Sequence, residues 1–287
     1  MSDSTGNIGQ SWFTEFHTPH AGLTLRITEH LARKQSPYQL VEVMETVEYG
    51  TLLTLDGMVM LTDRDEHVYH EMMTHVPMLA HPNPKRVLVV GGGDGGCLRE
   101  IVKHPSLEKV TQVEIDGDVV DLCKKHFPDV AQAYSNKKVE LVIGDAIDYL
   151  RRYKGEFDVA IIDGSDPVGP AVGLFERSFF TDVHDALKPD GLMSCQIGSP
   201  LYSHERIAST LKHWREVFTE AKAYLAHIPT YPSGVWCLGL ASREPGGSSA
   251  QPNQVRFRTF SESLRYYTLD IHKGAFALPA DLARVAT

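Results

Sequence analysis

The stretch VLVVGGGDGG, residues 87–96, decides the fold class of this chain. Four apolar residues precede a run of glycines, and Gly91, Gly93 and Gly96 have the G-x-G-x-x-G spacing of a nucleoside-binding turn. The pattern predicts a buried strand, a tight turn and the start of a helix. Glu114 follows eighteen residues after Gly96, at the end of the next apolar run, where a carboxylate can bind both hydroxyls of a ribose. We therefore expect a nucleoside at this turn.

The acid inside the glycine turn, Asp94, indicates which kind of nucleoside binds there. A pyrophosphate needs backbone N–H groups and the positive end of a helix, and a carboxylate in the turn would repel it. Asp94 favours instead a cationic group, such as the sulfonium or amine of a molecule like S-adenosylmethionine. The third apolar run ends just before Asp145, whose carboxylate can accept a hydrogen bond from the adenine amino group. Acids at successive strand ends thus favour a sulfonium nucleoside over NAD.

Two more acids, Asp163 and Asp166, follow the fourth apolar run. Ligands of a doubly wound sheet bind at the carboxyl ends of its strands, so these acids are expected beside Asp94. Three converging carboxylates indicate a pocket for a cation or a site for a divalent metal, since hard metals bind carboxylate oxygens. The structural alternative is that Asp163 caps a helix and Asp166 begins a turn.

Strands and helices alternate after the glycine turn, which predicts an α/β fold. Apolar runs of four to six residues occur at positions 87–90, 110–114, 139–143, 159–162 and 192–196. The polar stretches between them are long enough for helices, a pattern typical of a parallel sheet covered on both faces. Ile207, Leu211 and Trp214 have helical spacing and predict a helix that packs on this sheet. A last helical segment is expected at residues 260–267.

The first eighty residues differ in character and predict a small β domain. Its β-prone runs lie at positions 23–28, 40–45 and 51–61. The last run is divided by Asp56-Gly57, a strong hairpin signal. Asp63 and Glu66 then resemble a capping box, and the helix that follows should stop or kink near Pro77. We therefore divide the chain into residues 1–80, the β domain with its linking helix, and residues 81–287.

Composition and charge limit the classes of function. Hydrophobic residues make up 42% of the chain and charged residues 23%, as in soluble globular proteins. The net charge of −9 disfavours nucleic acid and acidic membrane surfaces as partners. The four cysteines form no C-x-x-C pair, which argues against a zinc ribbon and favours buried thiols in a reducing compartment. The N-terminus has no signal-peptide pattern and no apolar run approaches the ~18 residues that cross a membrane, so we expect a cytoplasmic protein.

Several segments together resemble the polyamine aminopropyltransferases, above all the spermidine synthases. The main segments are GGGDGGCLRE at 91–100, VEID at 113–116 and DGSDPVGP at 163–170. Shorter matches are LDG at 55–57, DE at 65–66, YHEMMTH at 69–75, IPTY at 228–231 and AFALP at 275–279. The resemblance extends from about Trp12 to Pro279. The combination is specific, although the glycine turn alone is not.

The resemblance implies a small N-terminal antiparallel β domain followed by a Rossmann-like, doubly wound sheet of the S-adenosylmethionine methyltransferase type. It also implies a homodimer or homotetramer. The implied reaction moves the aminopropyl group of decarboxylated S-adenosylmethionine to a diamine and releases 5′-methylthioadenosine. Putrescine is the expected diamine, with cadaverine or another amine as the alternative. We expect no permanently bound cofactor and no metal, because the sulfonium is already a good leaving group.

The resemblance also implies roles for individual residues. The nucleoside side comprises Gln39, Gly91, Gly93, Glu114, Asp145, Ala146 and Pro170. The amine side comprises Tyr69, His70, Asp94, Asp163, Asp166, Tyr231 and, as a further wall residue, Gln196. Asp163 matches the proton acceptor of the family. Two departures, Ile162 before that acid and Pro232-Ser233 after Tyr231, leave the preferred acceptor open.

Two other functions compete with this interpretation. A methyltransferase dependent on S-adenosylmethionine would place the methionine carboxylate near Asp94 and Asp163, which is electrostatically unfavourable. A nucleoside-binding module without catalysis would have no use for the acidic pair Asp163 and Asp166. His70 and His75 miss the spacing of the zinc-protease motif by one residue, so they are not expected to bind zinc.

Overall fold

The structure is a computed structural model that describes residues 11–166, 169–249 and 251–286. Its first sheet has five antiparallel strands in chain order. These strands are β1 Ser11–Thr18, β2 Ala21–Gln35, β3 Leu40–Thr46, β4 Gly50–Leu55 and β5 Met58–Thr62. Between β4 and β5 lies the predicted hairpin, where Asp56 and Gly57 have φ angles of 49° and 78°. This left-handed pair is what a two-residue turn requires.

The sequence analysis did not single out β1, and it predicted a much shorter β2. Side chains of β1 are all exposed or half-buried, so the strand carries no apolar run. The second half of β2 is mostly exposed as well, with the sequence LARKQ at its end. Strand β1 and the second half of β2 depend on pairing with their neighbours, whereas Leu25 and Ile27 in the first half of β2 are buried in a hydrophobic cluster.

Helix α1, Glu66–Ala80, connects the two sheets, and each of its residues except His67 is buried. The end of this helix agrees with the prediction, and its start does not. Pro77 lies inside the helix, which ends three residues later at Ala80, close to the predicted stop. Asp63 is not the cap, since its carboxylate accepts a backbone N–H of β4 and Asp65 is the residue before the helix.

The second sheet has seven strands in the order β11-β12-β10-β9-β6-β7-β8. The five predicted strands are parallel to one another: β6 Arg86–Gly91, β7 Lys109–Glu114, β8 Val139–Ile143, β9 Phe157–Asp163 and β10 Leu187–Gly198. Two further strands, β11 Glu220–Ala226 and β12 Trp236–Ser242, pair antiparallel at one edge. The predicted parallel sheet is therefore mixed. The sequence EAKAYLA of β11 hid it, because Ala, Glu and Lys are uncommon in strands.

Helices cover both faces of this sheet. They are α2 Gly96–Ile101, α3 Gly117–His126, α4 Pro128–Ala131, α5 Ala146–Leu150, α6 Arg177–Ala186, α7 His204–Val217, α8 Gln254–Arg258, α9 Leu269–Ala275 and α10 Ala280–Ala286. In β6, Val87 and Val89 join the core on one face while Leu88 and Val90 join the core on the other. The predicted α/β class with a doubly wound sheet after a small antiparallel β unit is confirmed.

The prediction of a helix at residues 260–267 is wrong. Only Ser261–Ser263 forms a short 3₁₀ turn there, and α9 begins later. The carboxylate of Glu71 in α1 accepts the backbone N–H groups of Arg265, Tyr266 and Tyr267. These N–H groups therefore bind a side chain instead of the carbonyls of a helix.

Two further sequence predictions concern the cysteines and the membrane. All four cysteines are buried and carry free thiols, as expected. In the described part of the chain, no helix has both the length and the apolar character needed to cross a membrane.

Candidate active site

A cavity opens where the carboxyl ends of β6, β7, β8 and β9 face the first sheet. It is lined by nearly all of the residues singled out from the sequence: Gln39, Tyr69, His70, Gly91, Gly93, Asp94, Glu114, Asp145, Ala146, Asp163, Asp166, Gln196 and Tyr231. Pro170 lies in the short 3₁₀ segment Gly169–Phe175, but its side chain is outside the described residues. The structure thus brings the predicted residues together, and their individual roles stay predictions.

The glycine turn is fixed by the close approach of two other elements. Gly91 has a φ of 76°, and a Cβ at this position would overlap the carbonyl oxygen of Asp163 at the end of β9. The backbone N–H of Gly92 donates to that same carbonyl at 2.9 Å. A Cβ at Gly96 would overlap the ring of His70 from α1. Glycine is therefore required here so that the turn, Asp163 and His70 can lie against one another.

Glu114 is the acid at the end of β7, and it is only 8% exposed. Burial raises its pKa to about 7, helped by the charge of Asp116 and opposed by a hydrogen bond from the Asp116 N–H. Asp116 was missed as a site residue. Its Oδ2 accepts from Gln39 Nε2 at 2.9 Å and from Ser36 Oγ at 2.6 Å, which fixes the first sheet beside Glu114. Its sequence signal, a helix cap before α3, gave no hint of this second contact.

Asp145 and Ala146 lie at the end of β8, on the same side of the cavity as Glu114. The Oδ1 atom of Asp145 accepts the backbone N–H of Ile147 at 2.7 Å and so caps α5. Asp145 is exposed, whereas Ala146 is buried. The cap fixes the direction of the Asp145 carboxylate at the rim of the cavity.

Asp163 lines the cavity at the end of β9, and among the described residues its side chain accepts no N–H of a helix start, unlike the structural alternative. Its Oδ1 accepts the hydroxyl of Tyr69 at 2.7 Å, and no N–H or O–H group of the described residues reaches its buried Oδ2. Burial and the charge of Asp94 raise the pKa of Asp163 to about 6, against the opposing effects of His70 and Tyr69. A carboxylate with such a pKa is suited to accept a proton near neutral pH.

His70 links Asp94 to α1. Its ring is 2% exposed, with Nδ1 2.6 Å from Glu66 Oε2 and Nε2 3.1 Å from Asp94 Oδ1. Burial opposes a charge on this ring, but the two carboxylates outweigh it and raise the His70 pKa to about 10. His70 is therefore an imidazolium that donates from both nitrogens. Asp94 Oδ1 also accepts the backbone N–H of Gly96 at 2.6 Å.

The donors do not fit the metal site that the sequence left open. Ligand atoms of His70, Asp94 and Asp163 lie close enough together to surround an ion. Both nitrogens of His70 carry protons that point to carboxylates, however, so neither has a lone pair for a metal. That these acids bind organic cations stays a prediction.

The far end of the cavity is also acidic. Asp166 Oδ1 lies 3.3 Å from Gln196 Nε2 and 3.2 Å from Arg206 Nη2. Glu15 of β1 lines the same cavity. Burial raises the pKa of Glu15, and the charge of Asp166 adds to this effect. The sequence analysis missed both Glu15, which lines the cavity, and Arg206, which contacts Asp166, because each belongs to an element without a motif.

Aromatic side chains form the wall beside Asp163. The rings of Tyr69 and Tyr231 lie 5.7 Å apart, and Trp236 packs edge-on against Tyr231. The hydroxyl of Tyr231 donates to the carbonyl of Met60 in β5 at 2.7 Å. Tyr231 therefore offers its ring to the cavity and uses its hydroxyl to hold the first sheet.

Comparisons with known proteins show the family to which the chain belongs. A family model described as the spermine/spermidine synthase domain matches residues 66–250, and one described as the spermidine synthase tetramerisation domain matches residues 11–63. A polyamine aminopropyltransferase of Bacillus cereus is 45% identical over 269 residues, which cover 93% of this chain and 96% of the relative. A polyamine aminopropyltransferase of a Thermoanaerobacter species is 44% identical, with coverages of 93% and 95%.

Solved structures give the same result. A spermidine synthase in complex with the transition-state analogue AdoDATO has a TM-score of 0.92 and 37% identity, and the match covers 96% of this chain and 94% of that one. The spermidine synthase from Thermotoga maritima has a TM-score of 0.88 and 36% identity with the same coverages. On this identity, coverage and likeness of fold, the chain belongs to the spermine/spermidine synthase family and is a polyamine aminopropyltransferase.

Proposed function

We propose that this enzyme transfers the aminopropyl group of decarboxylated S-adenosylmethionine to putrescine, with spermidine and 5′-methylthioadenosine as products. The observation that carries the proposal is the position of Asp163. Its Oδ2 is buried, lies over the glycine turn and is reached by no N–H or O–H group of the described residues. It lies between a cavity end suited to a nucleoside and an end suited to a cationic amine.

The nucleoside would lie along the ends of β7 and β8. Glu114 accepts hydrogen bonds from the ribose hydroxyls, and binding favours its ionised form because an ionised carboxylate can accept from both hydroxyls at once, whereas the protonated acid uses one oxygen as a donor. Asp145 and Ala146 border the adenine, and Gln39 closes the cavity from the first sheet. Gly91 and Gly93 let the ligand approach the backbone of the turn, and Pro170 is expected on the same side.

The chemical step is a direct displacement at carbon. An amine of the acceptor, with a pKa of about 10, is mostly protonated at neutral pH and has no lone pair with which to attack. Asp163 Oδ2 takes one proton, and the freed nitrogen attacks the methylene carbon bound to sulfur. The new C–N bond forms as the C–S bond breaks, and the electron pair of that bond stays on sulfur as a neutral thioether. Alignment of nitrogen, carbon and sulfur supplies the rest of the rate.

The acceptor is held by charge and by the aromatic wall. Asp166 and Glu15 place negative charge at the end of the cavity away from Asp163, where the second ammonium of a diamine would lie. Tyr69, Tyr231 and Gln196 border the methylene chain. Asp94, which lies close to Asp163, also binds the ammonium of the aminopropyl group.

The carboxylate of Asp94 also disfavours S-adenosylmethionine itself. That nucleoside carries an additional carboxylate where the decarboxylated form has only hydrogen, and two like charges a few ångströms apart cost up to several kcal/mol in a partly buried pocket. A methyltransferase activity is therefore not proposed.

We also propose how the chain is organised. Residues 1–80 form the unit that assembles the enzyme into a homodimer or homotetramer, which is supported by the match of residues 11–63 to a tetramerisation domain. Residues 81–287 form the catalytic unit. Four free thiols suit a reducing compartment, and we place the enzyme in the cytoplasm.

The acceptor is tested by measuring methylthioadenosine release with decarboxylated S-adenosylmethionine and a panel of amines. We expect the highest kcat/KM with putrescine, a lower value with cadaverine and the lowest with butylamine, which has no second ammonium. A higher kcat/KM for cadaverine would contradict the assignment of the acceptor. Release with S-adenosylmethionine as fast as with its decarboxylated form would contradict the role of Asp94.

A further inference from the structure

His70 is the only basic side chain among the described residues that line the cavity. Six carboxyl groups line the same cavity: Glu15, Asp94, Glu114, Asp145, Asp163 and Asp166. The charge on His70 therefore decides how many of these acids can be ionised together. Because the His70 ring is 2% exposed, water contributes little to keeping that charge, and the protein must supply its counter-charges.

The counter-charges form a chain of alternating sign that runs away from the cavity. Asp94 contacts one side of His70 and Glu66 the other. Glu66 receives two parallel hydrogen bonds from Arg99, Nη1 to Oε1 at 2.9 Å and Nη2 to Oε2 at 2.8 Å. Arg99 Nε then donates to Glu100 Oε1 at 2.8 Å.

The series of alternating charges continues beyond Arg99. Glu100 Oε2 lies 3.0 Å from His75 Nε2 and 2.6 Å from Lys103 Nζ. Glu66 and Glu100 are buried to 4% and 1% exposure, and their partners hold both pKa values well below the usual range despite burial. The charges of His70, Glu66, Arg99 and Glu100 thus each have an opposite charge on both sides. Geometry of this quality is what makes a buried ion pair tolerable.

We propose that Glu66 and Arg99 are positioning residues of the active site: they hold His70 as an imidazolium that donates to Asp94, and so give the cavity one fixed positive charge among its acids. Neither Glu66 nor Arg99 lines the cavity. They act through His70, whose charge keeps the neighbouring Asp163 ionised and able to accept a proton. The inference rests on the proposed function, since it concerns the base of that reaction.

The direction of the effect follows from the groups that surround His70. These are Glu66 on α1, Asp94 in the glycine turn, Arg99 and Cys97 on α2, Tyr69 beside it on α1 and Asp163 at the end of β9. Replacing Glu66 by Gln removes a carboxylate and leaves Arg99 facing His70 without a negative charge between them. His70 then loses its proton near neutral pH. Without that positive charge, the pKa of Asp163 rises above its present value of about 6.

The first test is the pH dependence of kcat/KM for the amine in Glu66→Gln. Since the base must be ionised, the acidic limb of the profile should move to higher pH, and kcat/KM at pH 7 should fall about tenfold. The double variant Glu66→Gln/Arg99→Gln also removes the unpaired cation. Its kcat/KM at pH 7 should be at least threefold higher than that of Glu66→Gln. A double variant as slow as Glu66→Gln or slower would overturn the proposal, because damage to packing alone adds up instead of cancelling.

Glu71→Gln is the matched control. Glu71 is a buried glutamate on the same helix, but its carboxylate accepts backbone N–H groups near the end of the chain and does not contact His70. This variant should melt at a lower temperature and keep the wild-type pH profile. A profile that shifts as much as in Glu66→Gln would show that the shift reports general loosening of α1, and the proposal would fall.

A second readout needs no turnover. In protein labelled with ¹⁵N-histidine, the ring signals of His70, assigned with a His70→Gln sample, should stay those of an imidazolium from pH 6 to 8. In Glu66→Gln they should titrate within that range. A neutral His70 at pH 7 in the wild-type protein would refute the inference whatever the activity. Absence of methylthioadenosine release from the wild type, with an imidazolium at His70, would instead refute the proposed function.

Discussion

Replacing Asp163 by Asn should abolish most of the aminopropyl transfer while the nucleoside still binds. Asn keeps the size of the side chain and an oxygen that can accept the hydroxyl of Tyr69, which lies 2.7 Å from Oδ1 in the native protein. It has no carboxylate to take the proton at the position of Oδ2. Loss of a general base typically lowers kcat by about 10²–10⁴-fold, or about 3–5 kcal/mol of transition-state stabilisation.

The same substitution should stabilise the fold, and the sign follows from the pKa. Burial and the charge of Asp94 raise the pKa of Asp163 from 3.8 to about 6. The folded protein therefore binds this proton more tightly than the unfolded chain does, and stability falls as the pH rises from about 4 to about 6. Above that range the ionised carboxylate costs up to about 3 kcal/mol, since each pKa unit is worth about 1.4 kcal/mol. A neutral Asn does not carry this cost.

Two measurements on Asp163→Asn check both statements. Methylthioadenosine release gives kcat, and urea unfolding at pH 7.5 gives the free energy of unfolding, which should exceed the wild-type value by about 2 kcal/mol. An inactive but more stable variant cannot be explained by misfolding. A kcat within threefold of the wild type at pH 7.5 would refute the role of Asp163 as the base, and a less stable variant would refute the account of its pKa.

Three other substitutions test separate parts of the site. Glu114→Gln should raise the KM for the nucleoside by about 10- to 100-fold and change kcat little, as initial rates at varied nucleoside concentration would show, because hydrogen bonds to a charged group are worth about 1.5–3 kcal/mol. Arg206→Leu should lower the KM for a diamine by about two- to fivefold, because Asp166 loses a competing cation. The KM for butylamine should stay unchanged, and a higher KM for the diamine would contradict this prediction. Gly96→Ala should lower the free energy of unfolding by about 1–3 kcal/mol in urea titrations, because the added methyl group overlaps His70, and wild-type stability would count against the close approach.

Much of the fold could be predicted because the relevant signals are local. The strand β6, its glycine turn and the start of α2 follow from ten consecutive residues, and the hairpin follows from Asp56-Gly57. The elements that were missed depend on distant partners. The edge strand β11 is stabilised by pairing with β12, and residues 265–267 stay out of a helix because Glu71, almost two hundred residues earlier, binds their N–H groups.

The site shows the same division. Asp94, Glu114, Asp145 and Asp163 could be found because each stands at the end of a parallel strand, and such ends meet at one edge of a sheet. The residues that control the charges of these acids do not stand at strand ends. Glu66 and Arg99 do not line the cavity, and they can act on His70 only because α1 and α2 pack against each other. Arg206 reaches Asp166 from α7, forty residues later in the chain.

Product stoichiometry in a single turnover tests the central claim most directly. Enzyme in excess would be mixed with decarboxylated S-adenosylmethionine and putrescine, and both products would be quantified by mass spectrometry. The account predicts one spermidine for each 5′-methylthioadenosine, and neither product when S-adenosylmethionine replaces its decarboxylated form. Formation of S-adenosylhomocysteine from S-adenosylmethionine, or methylthioadenosine released without an aminopropylated amine, would contradict it.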